Sequence, residues 1–134
     1  MFIVRELPYE EAEYALQHGE FSSELLMSYP KVAVILSQDW CPDWKAMQRW
    51  LQAWLEHKKP AEDIVVYTYL YNLQPHYLKF LSLKENTWGN FLIPYVRYYC
   101  RGHFVSESNY VTPEGFLRNL GCQTLLENTK EVTP

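Results

Sequence analysis

Apolar and polar positions follow one another along this chain in blocks whose period changes several times. Phe2 to Glu6 is short and extended. From Tyr9 to His18, Ala12, Ala15 and Leu16 fall on one face of a helix, and Gly19 is placed to end it. Phe21 to Met27 holds a further turn or helix before Tyr29-Pro30. Val32 to Leu36 is an unbroken apolar run of strand length, the pattern of a strand covered on both faces. Pro42 to His57 returns to helical spacing, with Trp44, Met47, Leu51, Trp54 and Leu55 on one stripe. Pro42 suits the first turn, where its missing N–H leaves no bond unmade. Lys58-Lys59-Pro60 closes the helix with cations at the negative end of its dipole.

Ile64 to Tyr71 is β-branched or aromatic almost throughout and predicts a strand. A helical or irregular stretch, Pro75 to Asn86, follows. Tyr95 to Cys100 and Phe104 to Glu107 read as two strands joined by a tight turn at Arg101-Gly102. Thr112-Pro113-Glu114 supplies an N-cap, a first-turn proline and an acid for a last helix that runs through Phe116, Leu117 and Leu120 to Gly121. The order β-α-β-α-β-(α)-β-β-α implies parallel strands with right-handed crossovers, then an antiparallel hairpin. The pattern is that of an α/β protein, a mixed sheet with helices on both faces.

The 134 residues suffice for a single domain, 1–134, with a tail from 122 to 134 expected to fray. Apolar residues are 48% and charged residues 21%, which excludes a disordered or fibrous chain. A net charge of −4 with no basic run argues against a nucleic-acid partner. No apolar stretch approaches the roughly 20 residues that span a bilayer, and Arg5-Glu6 interrupts the place of a signal peptide. The expectation is a cytoplasmic protein with no membrane association. Three cysteines, odd in number and widely spaced, do not suggest an extracellular disulfide framework. The histidines show no ligand spacing with them, so neither a metal nor a resident cofactor is expected. Aromatics, at 16% with 11 Tyr and 5 Trp, are the one unusual value.

The chemistry concentrates at Asp39-Trp40-Cys41-Pro42-Asp43-Trp44-Lys45, where a buried strand hands over to a helix N-terminus. Unpaired backbone N–H groups there favour a thiolate at Cys41, while Asp39 and Asp43 oppose a second anion. The segment from Val32 through Lys45 resembles the active-site strand-turn-helix of the thioredoxin family, closest to members that carry Trp-Cys-Pro-Asp-Cys. Ile93-Pro94, the hairpin and the terminal helix are similar to that family's C-terminal half. Together the matches cover about residues 32–121. The resemblance implies a thioredoxin-like three-layer sandwich in which Pro94 is a cis-proline beside the active-site cysteine.

The departures bear on function. Trp44 stands where the family has its second cysteine, so a mixed disulfide at Cys41 cannot be resolved by that thiol. Ile35 replaces the acid the family often places six residues before Cys41, and Asn109-Tyr110 occupies the neighbourhood of a small glycine, narrowing the groove. Cys100 lies about 20 Å along a strand from Pro94 and Cys122 follows the terminal helix, so neither is placed to resolve Cys41.

Two functional readings follow. In the first, Cys41 is the catalytic residue of a monothiol thiol–disulfide oxidoreductase or a redox sensor. It attacks a protein or small-molecule disulfide, and an external small thiol releases it. Trp40, Pro42, Trp44, Ile93 and Pro94 form the substrate or partner groove. In the second, the fold is redox-inactive and keeps the groove for protein binding. Trp44 either caps the thiol or is core. Trp50, if exposed, marks an interface whose simplest occupant is a second copy of the chain, making a homodimer through an aromatic-rich face. The alternative is packing by the stretch between Pro75 and Trp88. The alternating tyrosines 67, 69 and 71, and 95 and 99, are either cross-strand packing or a ring-lined ligand surface.

Overall fold

The computed structural model of the chain describes residues 1–122. In order, its elements are β1 (Phe2–Glu6), α1 (Tyr9–His18), α2 (Ser23–Leu26), β2 (Lys31–Ser37), α3 (Pro42–Glu56), β3 (Ile64–Leu70), α4 (Tyr77–Ser82), β4 (Tyr95–Cys100), β5 (His103–Ser108) and α5 (Pro113–Asn119). A 3₁₀ turn, Tyr71–Leu73, leads into α4 and a π turn, Leu83–Thr87, leaves it. The strands form one mixed sheet in the order β1-β3-β2-β4-β5. β1 and β2 run parallel to β3, β4 runs antiparallel to β2, and β5 antiparallel to β4.

The central position of β2 explains its unbroken apolar run. Val32, Val34 and Leu36 face one layer with α1, α2 and α4, while Ala33 and Ile35 face the other with α3 and α5. The tyrosine rows follow the same alternation. Tyr67, Tyr69, Tyr71, Tyr95 and Tyr99 all enter the first layer, where Tyr69 and Tyr71 meet Phe80 and Tyr95 meets Trp88. Packing is therefore what these rows do; they do not form an open ring surface.

Local chemistry sets the ends of the elements. Gly19 ends α1 in the left-handed region at φ 77°, a conformation that costs glycine no side-chain clash, and returns its N–H to the Ala15 carbonyl. Ser22 Oγ and Thr112 Oγ1 accept from the Leu25 and Gly115 N–H groups, capping α2 and α5. Arg101 and Gly102, both at positive φ, make the β4–β5 turn, as two-residue hairpins require.

Four expectations need correction. Leu55, placed on the buried stripe of α3, is exposed, so the buried stripe is Trp44, Met47 and Leu51. Trp50 is half-buried rather than free, because Phe116 of α5 lies against it and against Trp54, which Phe2 also meets edge-on. The covering layer is thus α5; the stretch from Pro75 to Trp88 packs on the opposite face of the sheet. Cys122 does not begin a free tail: it forms a disulfide with Cys100, Cα to Cα 5.7 Å. Neither sequence spacing nor element order pointed to that pair, since the chain places Cys122 beside β4 only after α5 has folded back. The rest of the expected tail, 123–134, lies outside the described residues.

Candidate functional site

β2 leaves the sheet at Ser37, and Gln38 to Trp40 carry the chain into α3, whose N-cap is Cys41. The turn closes through the Cys41 N–H on the Gln38 carbonyl at 3.2 Å, and the first helical bond runs from the Lys45 N–H to the Cys41 carbonyl at 3.1 Å. Gln38 organises the turn with its side chain, accepting the Trp40 indole N–H at 2.6 Å and donating to the Tyr71 hydroxyl at 3.3 Å. Cys41 is 4% exposed. Its thiol donates to the Ile93 carbonyl, Sγ to O 3.8 Å, across a chain separation of 52 residues. The Ile93–Pro94 peptide is cis.

Both flanks of this junction are held by reciprocal side-chain bonds. On one side, the Asn72 amide donates to Asp39 Oδ1 at 2.8 Å while its oxygen accepts the Asp39 N–H at 3.1 Å. On the other, Asn109 Nδ2 reaches the carbonyls of Leu92 at 3.2 Å and Pro94 at 3.0 Å, and exchanges bonds with the Asn90 side chain. Asn90 also accepts the Leu92 N–H. Beneath it Lys84, 1% exposed, donates its ammonium to the Asn90 carbonyl at 2.8 Å. Burial pulls the Lys84 ammonium below its ordinary value, with Glu85 acting in the other direction.

The structure places Trp40, Cys41, Pro42 and Trp44 on one strand-to-helix turn, and Cys41 joins that turn to Ile93 on the loop before β4, where Pro94 follows. Trp40 is 60% exposed and Trp44 is buried in the same cluster as Cys41. The thiol's hydrogen bond runs to the Ile93 carbonyl, not to the Trp44 indole. A cleft of about 340 Å³ lies beyond Trp44, lined also by Gln48, Tyr69 and Leu73, and does not include Cys41. Cys100 is remote: it pairs with Lys31 at the far end of β2, six residues and about 20 Å from Ser37. Asn72, Asn90 and Lys84 carried no signal in the sequence. Asn109 did, as bulk in place of a glycine, although its effect here is to bond the loop.

No family model matches the chain, and no curated protein matches it. Solved structures do match along most of its length. Oxidised thioredoxin O1 from Arabidopsis thaliana superposes with a TM-score of 0.56 at 14% identity, covering 90% of this chain and 96% of that one. Trxlp from Edwardsiella tarda EIB202 gives 0.54 at 20% identity over 85% and 93%. The fold is thioredoxin-like. A mutant thioredoxin from Halobacterium salinarum NRC-1, at 11% identity, gives a TM-score of 0.53 over 91% and 89%. At these identities the likeness is one of fold, and the chemistry of the site rests on this chain's own residues. Among the described residues, no helix is long and apolar enough to cross a membrane.

Proposed function

We propose that the protein carries out monothiol thiol–disulfide exchange through Cys41. One observation carries this reading: the Cys41 thiol sits at the N-terminus of α3 against the Ile93 carbonyl, while no second cysteine is within reach. Exchange requires Cys41 as the thiolate, the nucleophile of thiol–disulfide chemistry. That thiolate attacks one sulfur of a substrate disulfide, forming a Cys41–substrate bond as the other sulfur leaves as a thiolate. An external thiol, deprotonated, then attacks the substrate sulfur, regenerates Cys41 and departs joined to the substrate. Trp40, Pro42, Trp44, Ile93 and Pro94 shape the groove in which this happens.

The 4% exposure of Cys41 favours a second reading, a redox-inactive module that keeps the groove for binding. Cys41→Ser separates the two. Under the exchange reading, disulfide turnover with an added thiol is lost in that variant and is also absent from the wild type when the thiol is omitted. Turnover that persists in Cys41→Ser, or that needs no added thiol, overturns it. Absent turnover in the wild type with undiminished partner binding in Cys41→Ser supports the module. A Cys100–Cys122 disulfide is at home under oxidising conditions, which runs against the cytoplasmic expectation.

A further inference from the structure

The last helix is held over the aromatic face of α3 by ring packing and by one covalent bond. α5 has seven residues, too few to be stable alone in water. Phe116 sets its ring against Trp50, Trp54 and Tyr98 at 5.3, 5.9 and 5.5 Å between centres, and Leu120 is buried behind it. Ser106 Oγ donates to the Asn119 carbonyl at 2.9 Å. Among the described residues no ion pair reaches α5, although Glu114 and Arg118 lie on it. The Cys100–Cys122 disulfide fastens its C-terminal end to the last residue of β4.

The packing under α5 leaves one polar group unsatisfied. The indole N–H of Trp50 is buried and has no hydrogen-bond partner among the described residues, although its ring meets Phe116. A buried donor without a partner costs free energy that hydration recovers. Closure of α5 over Trp50 is therefore opposed by that N–H and favoured by the ring packing and the cross-link. Breaking the cross-link shifts the balance towards local opening. The two sulfurs differ in access: Cys100 is fully buried, whereas Cys122, just past the end of α5, is half-buried.

We infer that Cys100–Cys122 is a second redox site, the substrate of a dithiol reductant, and that its reduction releases α5 from Trp50 and Trp54. A thiolate of the reductant attacks Cys122 Sγ, and Cys100 leaves as a thiolate that takes up a proton. The reductant's second thiol, deprotonated, attacks the reductant sulfur joined to Cys122. The reductant closes its own disulfide, and Cys122 leaves and is protonated in turn. Two electrons and two protons pass from the dithiol to the protein. Oxidised, the chain keeps α5 over the rings of Phe2, Trp50 and Trp54; reduced, it opens that face to water. No step involves Cys41, so the latch stands whether or not Cys41 exchanges.

The test compares the folded chain before and after treatment with dithiothreitol, counting thiols by mass after alkylation under denaturing conditions. Reduction without denaturant should raise the count from the single free Cys41 to all three cysteines. Amide hydrogen exchange in residues 113–119 should then accelerate about tenfold or more, while β2 and β3 keep their protection. Acrylamide should quench the tryptophan emission more strongly, and reoxidation should reverse both changes. Cys100→Ser/Cys122→Ser should behave as the reduced protein does, and the reduced wild type carries the measurement should that variant not fold. A disulfide that yields to dithiothreitol only in denaturant overturns the redox site. Exchange in α5 that is unchanged on reduction, or that rises together with the whole sheet, overturns the latch.

Discussion

At one end of the sheet, where β2 passes into α3, the cysteine is unpaired, neutral amides hold the backbone and apolar side chains face outward. Across the outer strands and at the other end, the cysteines are joined and a buried cation binds the sheet to the loop after α1. Arg97 on β4 donates to Tyr99 at 2.8 Å, Tyr95 at 2.9 Å and Glu20 at 2.8 Å, with its guanidinium 4.3 Å from the ring centres of both Trp88 and Phe104. Tyr99 also donates to Glu20, and Tyr95 to Glu107. Burial alone would lower Arg97, but the Tyr99 and Glu20 oxygens outweigh it and hold it fully charged. The contrast separates two uses of polar groups in one fold. In the Arg97 pocket they are saturated to fix the packing; near Cys41 they fix the backbone and leave apolar side chains exposed.

The comparison breaks most readily at Arg97. Arg97→Ala removes the donor to Glu20 Oε2 and to the Tyr95 and Tyr99 hydroxyl oxygens, and should cost about 3–5 kcal/mol in denaturant unfolding. Arg97→Met, which keeps contact with Trp88 and Phe104, should cost distinctly less. If both cost the same, the pocket is held by its rings and not by its charge.

Replacing Cys100 and Cys122 together by Ser should cost roughly 3 kcal/mol, the scale for closing a loop of this length, without changing the rate of Cys41 alkylation. A changed rate would mean that the two ends are coupled.

Alkaline pH should act on the same pocket. Burial pushes Tyr95 up to about 12, with Arg97 working against it, and raises Tyr99 further. These phenols therefore keep their protons in the folded state after an unfolded chain has lost them. Their stabilising contribution is complete below pH 10 and is lost as pH rises through the folded values, each group contributing a slope no steeper than about 1.4 kcal/mol per pH unit. Unfolding free energy measured from pH 9 to 12 should fall above 10, and a flat profile would contradict the burial argument.

The smallest expected effect is at the open end. Asn109→Ala removes bonds to the Leu92 and Pro94 carbonyls, which should cost about 1 kcal/mol, and the loosened loop should speed alkylation of Cys41. Unchanged alkylation would show that Asn109 does not govern access to the sulfur.

Most of the architecture was legible because each strand and helix announced its own period. The double-sided burial of β2 was written in Val32 to Leu36, and the β4–β5 turn in Arg101-Gly102. The junction of Cys41 with Ile93-Pro94 was legible only through resemblance, since 52 residues separate the groups in contact. What the sequence concealed are pairings between distant polar residues. Nothing local distinguishes Asn72 or Asn90 from an ordinary loop amide, or Arg97 within a strand from an exposed cation. Cys100–Cys122 was hidden for the same reason: it depends on how α5 returns across the sheet. Leu55 shows the opposite failure, a residue on the right period at a helix end that leaves the core.

The central claim is that Cys41 forms a mixed disulfide that this protein cannot resolve by itself. Its most direct test is to treat the folded chain with a peptide disulfide, remove excess reagent, and follow the intact mass and the modified site over time. The account predicts one peptide adduct, located at Cys41, which persists until a thiol is added and then disappears with recovery of the free cysteine. Release of the peptide without added thiol, or an adduct that forms only after unfolding, would contradict it.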